Sequence, residues 1–324
     1  MDKVDESATM SILPIAANIP HSVVIMQPYF FLMQVYGRKV IGKLGALNRV
    51  IGVDVADTDS ISSDAAQIAN YASALIVPSN FSRSAYISSG VKAPVHVVPH
   101  GVDDFWFTTH VSFNFFRGLL DFKAKRGVKL IQTWLLHSSF RKGEDIVYNV
   151  FSKLIKERRD VALVVKRPMA VDVIVDEVKN GSPKPIVSIP ASWLSEEQIR
   201  ELMDVCDIFL LASRGGGFEH PPLLALARGE VVLGAKGGAW EEYLPDWALA
   251  PSHRSDIIFK DNPIHNGRGV EMEIDTCVSM LHSILDNIEE YKVRVKQHVD
   301  TYVKQRFTWS KIGELLRDIV SLVG

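Results

Sequence analysis

The chain has 324 residues, 47% of them hydrophobic and 23% charged, with a formal net charge of -2 and only two cysteines. That length holds two compact domains, each with its own core, and the composition is that of an ordinary globular protein. The near-neutral balance gives no global attraction to nucleic acid, and Cys206 and Cys277 offer neither a disulfide framework nor a cysteine metal site, so a reducing compartment fits best.

The segment Met1 to Met10 is acidic and polar and lacks the basic start and apolar run of a signal peptide. The stretch from His21 to Tyr36 comes closest to a membrane span. Gln27, Pro28 and Gln34 interrupt it short of the roughly 18 to 20 apolar residues that crossing requires, so it reads as a strand and a helix. A cytoplasmic location is expected. Beyond it, apolar runs bounded by turn residues alternate with helix-period segments, the pattern of βα units and parallel sheets. Strands are predicted at Val23 to Met26, Val50 to Val55, Ala74 to Val77 and Val95 to Val98, with helices at Ser60 to Ala72 and Phe81 to Ser89.

From Thr108 to Arg126 the regularity lapses into aromatics followed by Arg117, Lys123, Lys125 and Arg126, which suits a connection between domains. A second series has strands at Lys129 to Leu135, Val161 to Val165 and Pro185 to Ile189, with helices at Glu144 to Lys156 and Glu196 to Asp204. The apolar run Val205 to Ala212, Cys206 included, is predicted as a strand, and another follows at Val231 to Gly234. After Ile274 the pattern is helical, with breaks near Asn287 and Phe307. Tyr291 to Lys296 and Lys304 to Arg306 make one late helix basic, read first as a solvated face, with peripheral contact to an anionic membrane as the minority reading.

Between two of these strands lies Ser213-Arg-Gly-Gly-Gly-Phe-Glu-His-Pro-Pro-Leu-Leu-Ala-Leu-Ala-Arg-Gly229, which reads as a glycine-rich loop and a helix. Such a loop gathers backbone amides and a positive helix end at one point, suiting a phosphate or a sugar hydroxyl. Phe140-Arg141-Lys142-Gly143 stands at another helix start, Lys166-Arg167 at a strand end, and Lys236-Gly237-Gly238 after the last strand of the series. Taken alone, each has a bland reading: a solvated helix start, a charged strand exit, a mobile turn. Taken in order, all of them fall at strand ends in one half of the chain, the edge where open parallel sheets bind ligands.

From Lys129 to Leu244 this order resembles the nucleotide-sugar half of the family 4 glycosyltransferases of the GT-B fold. The matching pieces are Lys142-Gly143, the strand up to Ser213, the Gly-Phe-Glu-His-Pro-Pro segment, and Gly237-Gly238-Ala239-Trp240-Glu241-Glu242. Phe307-Thr308-Trp309-Ser310-Lys311-Ile312 is similar to the start of that family's last helix, and Val98-Pro99-His100-Gly101-Val102-Asp103 to the turn ending its first domain. The resemblance implies an α/β chain with two Rossmann-like parallel-sheet domains facing across a cleft. Residues 1–126 would form the acceptor-side domain with its linker, 127–307 the nucleotide-sugar domain, and 308–324 a helix returning to the first. It also implies retaining, metal-independent transfer of a sugar from a UDP- or GDP-sugar to an acceptor that is a glycan, lipid or protein, with no cofactor beyond the donor.

Carried onto this chain, Arg141 and Lys142 neutralise the departing diphosphate. Gly215, Gly216 and Gly217, with the amide of Leu223, hold sugar and phosphate oxygens, and Phe218, His220, Lys166, Gly237 and Gly238 complete the donor site. Two glutamates that the family carries fall on Gly216 and Leu224, neither of which accepts a hydrogen bond through its side chain. An unpaired ribose hydroxyl costs about 1 to 3 kcal/mol, or about tenfold or more in donor affinity. Glu219 lies between the two positions. Either it reaches the sugar, or its carboxylate stabilises the following helix N-terminus.

The first half departs as well: Pro28-Tyr29-Phe30 stands where the family has a glycine pair. His21, His96 and His100 are the candidates for contacts in the cleft, with His96 reading as structural and His100 as cleft-facing. Asp57-Thr58-Asp59 has the aspartate spacing of metal-dependent GT-A enzymes, but capping by Asp59 or Ser60 accounts for it equally, and no metal is expected. The reading is glycosyl transfer. Its rivals are a binding or scaffold protein that kept the fold and lost catalysis, and a sugar-nucleotide epimerase.

Overall fold

Strands whose residues are apolar on both faces must be covered on both faces, and this chain builds two parallel sheets that way. The computed structural model describes residues 23–34, 49–108, 112–136, 140–167, 174–176, 186–190 and 194–323, so His21 lies outside the described residues. The chain divides into two units. One draws on Met1–His100, Phe259–Gly267 and Ser310–Gly324, the other on Gly101–Ile258 and Arg268–Trp309.

The first unit holds the strands β1 (Val23–Met26), β2 (Arg49–Val53), β3 (Ala74–Val77) and β4 (Val95–Val97), paired in that order and all parallel. Side chains alternate across a strand, so Val50, Leu75 and Val77 pack on one face against α1 (Ser63–Ala69) and α2 (Asn80–Ser88) through Ala65, Ala66, Ala69, Ala85 and Tyr86. Ile51 and Ile76 point the other way and meet Ile312 and Ile319 of the last helix, Trp309–Val323. Ser62, whose hydroxyl accepts from Ala65 N, caps α1; Asp59 and Ser60 do not. Thr58 is instead a buried tie, donating to Ser60 O at 2.6 Å and accepting from Gly267 N at 3.3 Å, while Asp57 N donates to His265 Nδ1 at 3.4 Å. Among the described residues no group of three or more His, Cys, Asp or Glu is placed to hold a metal.

The second unit begins at Gly101, so it takes in residues 101–126, which the sequence reading assigns to the first domain and its linker. Part of that segment is regular: α3 spans Arg117–Arg126 and carries the basic group expected in a connection. Its seven-stranded sheet consists of β5 (Lys129–Trp134), β6 (Val161–Arg167), β7 (Ile174–Asp176), β8 (Ile186–Pro190), β9 (Ile208–Leu211), β10 (Val231–Ala235) and β11 (Leu249–Ala250). The order is β11-β10-β9-β5-β6-β8-β7, parallel except for β7. One face packs Leu130, Ala162, Val164 and Val187 against Leu119 of α3 and Leu202 of α5 (Glu196–Val205). The other packs Ile131, Leu163 and Val165 against Ile146, Val150 and Leu154 of α4 (Glu144–Glu157).

Val205 and Cys206 close α5 rather than open a strand, and Asp207 turns into β9 with its carboxylate accepting Leu130 N at 2.9 Å. Both cysteines are buried and unpaired with one another. A hairpin absent from the sequence reading, β12 (Ser252–Ile257) with β13 (Arg268–Met272), follows the sheet. The late helical region runs through α7 (Ile274–Asp286) and α8 (Ile288–His298) to a last helix, α9 (Trp309–Val323). The basic stretch near its middle is matched by carboxylates: Arg294 with Glu290 at 2.6 Å, and Lys296 and Lys304 with Asp300 at 2.8 and 2.6 Å. Among the described residues no helix is long and apolar enough to cross a membrane.

Candidate functional site

Parallel pairing puts the carboxyl ends of β5, β6, β9 and β10 on one edge of the second unit, and the chain leaves each end with a different functional group. After β5 comes Arg141-Lys142-Gly143; β6 ends on Lys166-Arg167; β9 leads into the glycine loop; β10 leads to Lys236-Gly237-Gly238. The first and third are locked together. Gly143, with φ +69°, caps the start of α4, and a Cβ there would lie 2.0 Å from Ala212 O at the end of β9. No other residue meets both the left-handed backbone and that close approach. Arg214 N donates to Arg141 O at 2.7 Å, closing the same contact.

Arg214, to which the sequence analysis gives no role, is the fastener of this region. It is 2% exposed, forms a two-pronged pair with Asp145 at 2.7 Å, meets Glu271 at 2.7 Å, and stacks over Phe140 with its Cζ 4.1 Å from the ring centroid. The planar guanidinium suits such bidentate pairing, and its hydrogen bonds hold the Asp145 carboxyl below the usual range. The loop from Ser213 to Phe218 is accordingly buried.

Helix α6 (His220–Ala227) follows, with Pro221 and Pro222 in its first turn, so two of the orphan amides of a helix start are absent. Its cap residue is Glu219, at φ 61° and ψ 78°, a left-handed backbone rare outside glycine. Its side chain makes no capping hydrogen bond. Both carboxylate oxygens instead accept from Lys142 Nζ at 2.6 Å, and Arg141 Nη1 lies 3.5 Å away while donating to Gly215 O at 3.2 Å. Of the two readings open for Glu219 in the sequence, hydrogen-bonded capping is therefore not what this side chain does. Tyr243, fully buried, holds the strained turn by donating to Glu219 O at 2.5 Å and lying 3.2 Å from Phe218 O. Burial raises the phenol well above its ordinary range, so the hydroxyl keeps its proton.

Gly216 explains why the carboxylate can sit there. A Cβ on residue 216 would lie 2.4 Å from Glu219 Oε1, so the Glu219 carboxylate occupies the space that a side chain at 216 would enter. Leu224, by contrast, is 8% exposed and belongs to the hydrophobic core.

Arg141, Lys142, Glu219 and Gly215 to Gly217 thus come together. Lys142, Glu219, Ser213, Thr133, Trp134 and Pro222 line a small pocket of about 40 Å³ beside them. Other expected residues do different work. Phe218, 3% exposed, packs on Tyr243 with ring centroids 5.2 Å apart. The Gly237 amide donates to Glu241 Oε1 at 2.6 Å, and a Cβ on Gly238 would overlap the Trp240 indole at 2.2 Å, so this pair shapes its own turn. His220 Nε2 donates to Gly101 O at 2.9 Å, and burial lowers its pKa from the ordinary value, which keeps the ring neutral. Leu223 is fully buried in the core. Lys166 is 5% exposed, with its ammonium 4.5 Å from the centroid of the Trp134 ring. In the first unit, His96 lies within β4 and His100 three residues beyond it.

No protein-family model matches the chain. Over 311 residues it is 29% identical to "Uncharacterized protein 356" of Sulfolobus islandicus rod-shaped virus 1, covering 91% of this chain and 84% of that one. Over 273 residues it is 29% identical to "Putative glycosyltransferase 45" of Sulfolobus islandicus filamentous virus (isolate Iceland/Hveragerdi), covering 81% and 71%. Among solved structures, Anabaena HepE in complex with UDP and glucose matches with a TM-score of 0.66 at 15% identity, covering 97% of this chain and 81% of that one. The UDP-forming alpha,alpha-trehalose-phosphate synthase of Burkholderia xenovorans, in complex with glucose-6-phosphate, gives 0.68 at 13% identity, covering 98% and 78%. Likeness at this level establishes the fold: an α/β chain with parallel-sheet, Rossmann-like units of the GT-B class.

Proposed function

We propose that the chain is a glycosyltransferase that takes a sugar from a nucleoside diphosphate donor, a UDP-sugar in the first instance, bound at the carboxyl edge of the second unit. The observation that carries this reading is the meeting of Arg141 and Lys142 with Glu219 at the start of α6, beside the glycine loop. Two cations there answer the negative charge that grows on a diphosphate as the glycosidic bond breaks. Glu219 supplies an acceptor next to Gly216, in the space a side chain at 216 would enter. HepE, a structure of this fold, was solved with UDP and glucose, and a viral relative bears a glycosyltransferase name, both of which support the reading.

In this proposal the reaction retains the configuration of the sugar and uses no bound metal. Lys142 shifts from Glu219 toward the leaving diphosphate, and the freed carboxylate accepts from a sugar hydroxyl. The acceptor binds elsewhere, and the second reading is a protein that binds nucleotide without turnover, favoured by the apolar Leu224. Incubation with UDP-, GDP- and ADP-sugars, with and without a chelator, tests this by the nucleoside diphosphate released. Release with one donor class, unchanged by chelator and reduced about 100-fold in Lys142→Ala, is the expected result. Absence of turnover with every donor, together with absence of nucleotide affinity, contradicts it, and an isomerised nucleotide-sugar as product identifies an epimerase.

A further inference from the structure

Lys166, the residue before the end of β6, lies directly beside the last residue of β5, since the strand register pairs Trp134 with Lys166. The residue is 5% exposed, and its Nζ rests on the face of Trp134, 4.5 Å from the ring centroid. Trp134 is also a wall of the pocket that Lys142 and Glu219 line. Its half-buried ring is held from behind: the indole donates to Gln132 Oε1 at 3.0 Å, and the Gln132 amide donates to both oxygens of Glu230 at 2.9 and 2.7 Å, Gln132 and Glu230 both being buried.

Three other basic groups of this corner are matched by carboxylates. Lys142 and Arg141 share Glu219, and Arg214 has Asp145 and Glu271. Among the described residues Lys166 has no carboxylate partner. A buried ammonium without a counter-ion is expensive, and a single aromatic face returns only part of that cost. Burial correspondingly pulls the lysine below its ordinary pKa of 10.5. The charge count points the same way. Arg141, Lys142 and Glu219 leave one net positive charge, whereas the diphosphate of a nucleotide-sugar carries two negative charges.

We infer that Lys166, set on the Trp134 face, is a further anion-binding cation of this edge beside Arg141 and Lys142, supplying the positive charge that the Lys142–Glu219 pair withholds from a bound diphosphate. This rests on the donor-site reading but makes a separate claim, that the affinity for the diphosphate depends on Lys166 as well as on Lys142. Arg167, next along the strand, donates to Ser188 Oγ at 2.6 Å and is not part of this arrangement.

The experiment is calorimetric titration of inorganic pyrophosphate, UDP, GDP, ADP and the matching free nucleosides into the native chain, Lys166→Met, Lys166→Gln and Lys166→Arg. Removing the charge should weaken pyrophosphate and nucleoside diphosphate binding about tenfold or more, leave nucleoside binding unchanged, and spare Lys166→Arg. The ligand-free unfolding midpoint of Lys166→Met should not fall, because no counter-ion is orphaned. Nucleotide binding insensitive to these variants overturns the inference and leaves the donor-site reading standing. Pyrophosphate binding that depends on Lys166, without affinity for any nucleotide, does the reverse. Equal loss of nucleoside and diphosphate, or a native chain that binds no anion at all, also overturns it.

Discussion

Replacing Gly216 with alanine adds one methyl group, and the structure says what it meets. The new Cβ would lie 2.4 Å from Glu219 Oε1 and 3.0 Å from Glu219 Cγ and Cδ. The carboxylate has to retreat by about 1 Å to reach ordinary contact, yet Lys142 Nζ holds both of its oxygens at 2.6 Å. The retreat breaks at least one charge-assisted hydrogen bond in a pair whose side chains are 14% and 7% exposed, with only Arg141 at 3.5 Å left to compensate. The cost is about 2 kcal/mol, below that of removing a partner outright, since both charges remain. Among the described residues the tryptophans, Trp106, Trp134, Trp240, Trp247 and Trp309, all lie in the second unit, so urea unfolding followed by tryptophan fluorescence reads this unit. Gly216→Ala should lower stability by that amount in the native background, yet by under about 0.5 kcal/mol in Glu219→Gly, where the space is vacant. Equal effects in the two backgrounds would refute the steric link. The double variant Gly216→Glu with Glu219→Gly should also recover part of the nucleotide affinity that Glu219→Gly alone loses, because it returns a carboxylate to the same space.

Tyr243→Phe removes the donor to the Glu219 carbonyl and should cost about 1 to 2 kcal/mol in urea unfolding while weakening nucleotide binding, since the left-handed turn loses its restraint. His220 has its pKa lowered by burial, so the unfolded chain binds a proton first; stability should fall as pH drops from 6.5 through the lower folded value, a slope that His220→Gln abolishes. Lys166 behaves alike in another window. Its folded pKa is lowered, so stability relative to Lys166→Met should rise with pH from that lowered value up to 10.5, measured as the difference in unfolding midpoint between the two proteins.

Much of the fold was legible because its strands are apolar runs bounded by turns. Ala74-Leu75-Ile76-Val77 and Val161 to Val165 are short apolar runs rich in β-branched residues, and both are buried strands. The run through Val205 and Cys206 misled because periodicity does not separate a buried helix end from a buried strand; Asp207, tied to Leu130 N and paired with Lys123 at 2.8 Å, marks the turn. Helix α3 was hidden by its mixed aromatic and basic composition, and β12, Ser-His-Arg-Ser-Asp-Ile, carries no apolar alternation. In the site, Arg141, Lys142 and the glycine loop could be placed at strand ends from order alone. The direction of the Glu219 side chain could not, because it follows from a left-handed backbone and from the space beside Gly216. The burial of Arg214 and the stacking of Lys166 on Trp134 depend on strand register, which single-chain patterns do not carry.

The central claim is that the corner formed by Lys142, Glu219 and the start of α6 receives a nucleoside diphosphate. Calorimetric titration of UDP, GDP and ADP into the native chain and into Lys142→Ala tests it most directly. At least one of the three should bind the native chain, and Lys142→Ala should weaken it about tenfold or more. Binding that is the same in both proteins, or absent from the native chain for all three nucleotides, would contradict it.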